Sequence, residues 1–210
     1  MKRWHQLFGG ALAAIGLIAG VGSSDLLGPI HAEAKQEGTV LMAAPTPMVY
    51  DFTLNDIDGK PVSLSQFRGK ALLLVNTASF CGNTPQYTDL EKMYEQYREN
   101  GFEILAFPAN NFGKQEPGTN AEIKDFCYTK YSLSFPLFSK ISVKGDDMHP
   151  LYRYLTEQSP FPGEVEWNFQ KYLVDRSGKV VARYHHRTKP FAQDIVRDIE
   201  RVLATSHSNP

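Results

Sequence analysis

Lys70-Ala71-Leu72-Leu73-Leu74-Val75-Asn76-Thr77, followed by Ala78-Ser79-Phe80-Cys81-Gly82-Asn83-Thr84-Pro85, is the stretch that decides the fold. Its first half is a continuous apolar run bounded by turn signals, the pattern of a strand covered on both faces. Its second half ends in Thr84-Pro85, the preferred N-cap and N1 pair of a helix. The segment to Glu99 carries Leu90, Met93, Tyr94 and Tyr97 at i, i+3, i+4 and i+7, which predicts one apolar helical face. Phe102 to Phe107 (FEILAF) is a second buried-type strand. Strand, helix and strand in this order predict a right-handed crossover and a parallel pair.

Upstream, Val49 to Leu54 and Pro61 to Leu64 flank an Asp58-Gly59 turn and read as a hairpin. Downstream, a long loop from Pro108 to Gly118 leads to a helix expected over about Thr119 to Lys130. A further helix is expected over His149 to Gln158, with Pro150 at its start. Lys171 to Asp175 and Val180 to Tyr184 flank Arg176-Ser177-Gly178-Lys179 as a second hairpin. Phe191 to Leu203 closes the chain as an amphipathic helix, with Ile195, Val196, Ile199, Val202 and Leu203 apolar. The expected fold class is α/β, with a central mixed sheet flanked by helices and preceded by an N-terminal hairpin. That is the thioredoxin-like arrangement.

Composition is consistent with one such domain plus extra sequence. The chain has 210 residues, a net charge of -1 and 42% hydrophobic residues. A domain of roughly 150 residues buries about two-thirds of its unfolded surface without metals or disulfides. Near-neutral charge argues against a nucleic-acid partner recognised through phosphate neutralisation. Two cysteines, Cys81 and Cys127, are too few for a disulfide scaffold but enough for one catalytic pair.

The N-terminus differs in kind. Met1-Lys2-Arg3 is basic and Leu7 to Gly22 is an uncharged, glycine-rich run, short for a membrane span. Residues 1–34 are expected to be a signal peptide, with an uncleaved anchor as the alternative, and a bacterial periplasm is the expected destination. Ala32-Glu33-Ala34 is the first cleavage candidate and Ala43-Ala44 the second. Residues 35–47 read as a linker, 48–205 as the folded domain and 206–210 as a tail.

Cys81, at the end of a buried strand and three residues before the expected N-cap, sits where helix-terminal N–H groups favour a thiolate. Thioredoxin-fold redox proteins place Cys-x-x-Cys in this turn, and here Thr84 holds the second position. Cys81 can therefore react with an oxidant or a distant thiol but cannot form a local disulfide. Cys127, within Ile123-Lys124-Asp125-Phe126-Cys127, reads equally well as a half-buried helix residue or as a resolving thiol. No metal site is expected, because His185 and His186, placed next to each other on a strand, would point to opposite faces.

Three separated segments carry a more specific resemblance. Asn76 to Gly82 resembles the peroxidatic motif of the glutathione peroxidase family. Phe107 to Gly118, ending Gly113-Lys114-Gln115-Glu116-Pro117-Gly118, resembles its glutamine loop, and Trp167-Asn168-Phe169 resembles its Trp-Asn motif. The resemblance implies that Cys81 is the peroxidatic cysteine and that Gln115, Trp167 and Asn168 complete a tetrad around it. Their amide and indole N–H groups are neutral donors suited to a thiolate and to peroxide oxygens. It further implies that Cys127 resolves the Cys81 sulfenic acid to a disulfide. No prosthetic cofactor is implied; the co-substrate would be a thioredoxin-like protein or glutathione. The implied substrates are hydrogen peroxide and organic or lipid hydroperoxides.

Position 81 is cysteine where many animal members carry selenocysteine. Ala109 and Asn111 replace a Cys and a Gln common in the family's loop. Gln158 to Glu166 is short where tetrameric members carry a long insertion, which implies a monomer with an open site. Two other classes compete: a thioredoxin-like thiol-disulfide oxidoreductase, disfavoured by Thr84, and a non-catalytic thioredoxin-fold binding module, disfavoured by the joint presence of the tetrad.

Overall fold

The computed structural model describes residues 47–205. The expected signal peptide, nearly all of the linker and the C-terminal tail lie outside the described residues. No helix among the described residues is long and apolar enough to cross a membrane.

β1 (Thr53–Asn55) and β2 (Pro61–Ser63) form the expected antiparallel hairpin, with Leu54 opposite Val62. The flanks are shorter than the sequence pattern predicts, because Val49–Asp51 and Leu64–Phe67 turn into 3-10 helices. The main sheet has the order β4-β3-β5-β6. β3 (Ala71–Thr77) runs parallel to β4 (Phe102–Pro108), joined through α1 (Gln86–Tyr97). β5 (Lys171–Val174) pairs antiparallel with β3, and β6 (Val180–Tyr184) completes the sheet antiparallel to β5, with an irregularity at Leu173/Val174.

Every residue of β3 and β4 is buried, as strands covered on both faces require. Side chains alternate across the sheet with period two. Leu73, Val75, Ile104 and Ala106 join Leu90 and Met93 of α1 and Ile195, Ile199 and Val202 of α4 (Gln193–Ala204). Leu72, Leu74, Leu105 and Phe107 face the opposite way, onto Phe138, Leu151 and Tyr152. This is the thioredoxin-like architecture the sequence predicts, with helices on both faces of a mixed sheet.

α2 (Asn120–Tyr131) begins with a capping box in which Thr119 accepts from Glu122 N–H and Glu122 accepts from Thr119 N–H. Two expectations are corrected. Thr84 does not cap α1: consecutive i→i+3 turns, Thr84 N–H to Cys81 C=O and Tyr87 N–H to Thr84 C=O, delay the helix to Gln86. The segment after His149 is not one α-helix either. α3 covers Pro150–Arg153 and then widens into a π-turn over Tyr154–Gln158, where the Thr156 hydroxyl donates to Tyr152 C=O at 2.8 Å.

Candidate active site around Cys81

β3 ends at Thr77, and the chain then turns through Ala78 to Pro85 before α1 begins. Thr84 Oγ1 accepts from Cys81 N–H at 3.0 Å and donates to Ala78 C=O at 2.8 Å, so the hydroxyl at the missing-cysteine position ties the turn shut. Cys81 is buried and its thiol is free. Its Sγ accepts from the backbone N–H of Asn83 at 3.4 Å, within sulfur hydrogen-bond range. The Asn83 side chain donates to Asn168 C=O at 3.3 Å, which couples the cysteine turn to the Trp-Asn segment.

Asn76, near the end of β3, fixes that segment. Its amide donates to Trp167 C=O at 3.1 Å and accepts from Gln170 N–H at 3.1 Å, and its backbone C=O accepts from Phe169 N–H at 2.6 Å. Phe169 is held at φ 72, a left-handed conformation that a bulky residue adopts only when its surroundings enforce it. Lys171 Nζ adds a bond to Phe169 C=O at 2.7 Å and one to Thr188 C=O at 2.9 Å. The Lys171 side chain is wholly buried. Burial, reinforced by repulsion from Lys189, lowers its pKa to about 7.

Cys81, Asn83, Glu166, Trp167, His186 and Arg187 line one cavity of about 430 Å³. Trp167 packs against Phe112 of the glutamine loop, the two rings tilted with centroids 5.5 Å apart. Gln115 and Asn168 come together with each other rather than on the sulfur. Asn168 Nδ2 donates to Gln115 Oε1 at 3.0 Å, and Gln115 C=O accepts from Phe80 N–H at 3.0 Å. Among the described residues, neither amide donates to Cys81.

Glu116 is buried beside them. It accepts from Ser79 Oγ at 3.2 Å, and burial raises its pKa to about 6. Asn111 clamps the loop from outside, donating to Ser142 Oγ and Lys144 C=O and accepting from Val143 N–H.

Cys127 lies wholly buried on α2, in the apolar cluster that also contains Cys81, and burial raises its thiol to about 12. His185 and His186 lie beyond the end of β6, not on it. Their rings pack with centroids 3.9 Å apart instead of pointing to opposite faces, which corrects the strand-based expectation. Burial, then the neighbouring His185, lowers the His186 pKa.

The sequence pattern misses the roles of Asn76, Asn83, Thr84 and Lys171. Asn76 is legible in the sequence only as part of a motif, and Lys171 only as the first residue of an expected strand.

With this geometry established, comparison with known proteins is decisive. Residues 49–156 match the family described as glutathione peroxidase. The chain belongs to the glutathione peroxidase family. It is 50% identical over 163 residues to the hydroperoxy fatty acid reductase gpx1 of Synechocystis, covering 74% of this chain and 95% of that one. It is 47% identical over 156 residues to the glutathione peroxidase-like peroxiredoxin gpx1 of Schizosaccharomyces pombe, covering 73% and 98%. The crystal structure of apo Trgpx aligns with a TM-score of 0.62 at 36% identity, over 76% of this chain and 97% of that chain. A thioredoxin-family thiol:disulfide interchange protein from Chlorobium tepidum aligns with a TM-score of 0.56 at 17% identity, a likeness of fold alone. As a glutathione peroxidase family member the protein is a thiol peroxidase that reduces hydroperoxides at the expense of a thiol co-substrate.

Proposed function

We propose that Cys81 is the peroxidatic residue and Cys127 the resolving one. The observation that carries the first assignment is the free Cys81 thiol on a cavity beside Trp167, with the Asn83 N–H on its sulfur. The thiolate attacks the O–O bond of a hydroperoxide, and with one proton the leaving oxygen departs as alcohol or water. Cys81 is left as sulfenic acid. Attack by the Cys127 thiolate on the Cys81 sulfur then forms the disulfide and expels hydroxide, which takes up one proton to leave as water. An external dithiol, itself oxidised to a disulfide, returns both sulfurs to thiols. Gln115, Trp167 and Asn168 serve as the polar surround, the Gln115–Asn168 bond holding two amides in register.

Cys127 is inaccessible on the intact helix, so resolution requires α2 to open. Ile123 and Cys127 are the fully packed side chains of its twelve residues, which makes α2 a weakly anchored element suited to local unfolding. A thioredoxin-like dithiol is the reductant this scheme favours over glutathione, which would not need Cys127. The Thr84 hydroxyl, bonded on both sides, argues against a plain thiol-disulfide oxidoreductase. The short Gln158–Glu166 connection fits a monomer with an open site, and residues 1–34 fit export to a periplasm.

The test is peptide mass spectrometry before and after one equivalent of hydroperoxide. The expected product is a Cys81–Cys127 crosslink. Cys127→Ser should stop at the Cys81 sulfenic acid and lose multi-turnover activity with a thioredoxin system. Undiminished turnover in Cys127→Ser would defeat the resolving role, and an unreacted Cys81 would defeat the peroxidatic one.

A further inference from the structure

We propose that Glu166, His185 and His186 form a zinc site at the mouth of the Cys81 cavity, through which zinc inhibits the peroxidase. One ligand atom from each of the three residues lies within 4.8 Å of the other two, close enough to surround one ion. Two imidazoles and a carboxylate are a ligand set that zinc accepts, with a fourth position left for water or a thiolate. Glu166 and His186 line the same cavity as Cys81, so an ion held there occupies the approach to the sulfur.

The local bonding is compatible with loading. His186 Nδ1 is buried without a hydrogen-bond partner, a polar atom whose cost a metal bond would remove. Glu166 Oε2 already sits 3.3 Å from His185 Nε2, so these two ligands are prearranged. Arg183 approaches Glu166 Oε1 at 3.5 Å, but its guanidinium is held by the carbonyls of Pro162 and Glu164, which leaves Oε2 free for an ion. His185 Nδ1 accepts from Arg187 N–H at 3.2 Å. Zinc on Nε2 would move the ring proton to Nδ1 and break that bond, and because the residue is exposed, water can satisfy the released N–H. Opposing the site are the positive charges of Arg187, which lines the cavity, and of Lys171, both near His186. Zinc bound here is an inhibitor and not a cofactor of the thiol chemistry.

Zinc binding does not depend on the assignment of Cys81, whereas inhibition rests on it, so the two are measured separately. Zinc affinity of the full chain is read by competition with a chromogenic chelator, for the wild type, the His185→Ala/His186→Ala double variant and Cys81→Ser. Circular dichroism establishes that each is folded. The expected result is one zinc per wild-type chain, affinity reduced about tenfold or more in the double variant, and binding retained in Cys81→Ser. Zinc should also slow wild-type hydroperoxide turnover reversibly, with chelator restoring it, and the double variant should need about tenfold more zinc for the same fractional inhibition. Equal zinc affinity in the wild type and the double variant overturns the site. So does binding that is lost in Cys81→Ser but kept in the double variant, since the thiol alone would then be the ligand. Binding without any inhibition overturns the inhibitory role while leaving the metal site in place.

Discussion

Replacing Lys171 by Met should change how stability depends on pH more informatively than it changes stability itself. In the folded protein Lys171 is wholly buried and its pKa is lowered to about 7, by burial first and then by Lys189. In the unfolded chain it is an ordinary lysine near about 10.4. Between those values the unfolded state binds more protons than the folded one, so this group makes stability rise with pH through that window. Integrating one such site from pH 7 to pH 9 gives about 2 kcal/mol, a gain that the Met variant lacks. The raised Tyr and Cys127 groups titrate alike in both proteins and cancel in the comparison. At any single pH the variant mixes two opposed effects. It relieves the burial of an amine, and it strips the hydrogen bonds from Phe169 C=O and Thr188 C=O, each worth about 1–3 kcal/mol once left unsatisfied. The slope avoids that mixture. Urea unfolding of both proteins at pH 7 and at pH 9 reads it, and parallel pH profiles would refute the idea that Lys171 is carried into the fold close to neutrality.

Glu116→Gln should stabilise the protein at pH 7 by about 2 kcal/mol, because a folded pKa raised to about 6 means the native carboxylate loses stability as pH climbs from about 4.3 through 6. The amide oxygen can still accept from Ser79, and urea titration at pH 5 and pH 7 should show the advantage shrinking on the acid side. Gly178→Ala should lower Tm and cost about 2–4 kcal/mol, since φ is +93 there and the added Cβ would meet Tyr50 Cδ2 at 2.5 Å. The damage should extend to Tyr50, whose hydroxyl donates to Lys70 C=O and Arg176 C=O, and near-ultraviolet circular dichroism would detect the change in its packing.

The scaffold was legible because its signals are local and agree with one another. Two apolar runs, a helix stripe between them and the turn from Arg176 to Lys179 each specify an element without reference to the rest. What escaped was decided by tertiary contacts. Thr84-Pro85 has the chemistry of a helix start, yet the hydroxyl finds better partners in Cys81 N–H and Ala78 C=O and the helix begins later. His185 and His186 escaped because the strand ends at Tyr184, so both lie off the pleat and their rings are free to pack against each other. Of the candidate site, Cys81 and Trp167 line one cavity, and no spacing could show that Gln115 and Asn168 bond to each other.

The buried polar residues around the Trp-Asn segment explain why this site can be rigid without a metal or a disulfide. Asn76, Asn168, Gln170 and Lys171 are all wholly buried, an expensive concentration of polar groups beside a hydrophobic sheet. Each is engaged: Asn76 with Trp167, Phe169 and Gln170, Asn168 with Gln115, Gln170 with Tyr172 and Glu166, and Lys171 with Phe169 and Thr188. Together they hold Phe169 in a left-handed conformation and fix the position of the Trp167 backbone relative to the end of β3. The cysteine turn leaves that same strand and is joined to the segment again through Asn83. A sulfur and an indole on separate loops are thereby referenced to one strand end, so their relative position survives motion elsewhere. α2 contributes no side chain to that hydrogen-bond network, so the opening of α2 that the proposed resolving role of Cys127 requires would leave those bonds in place.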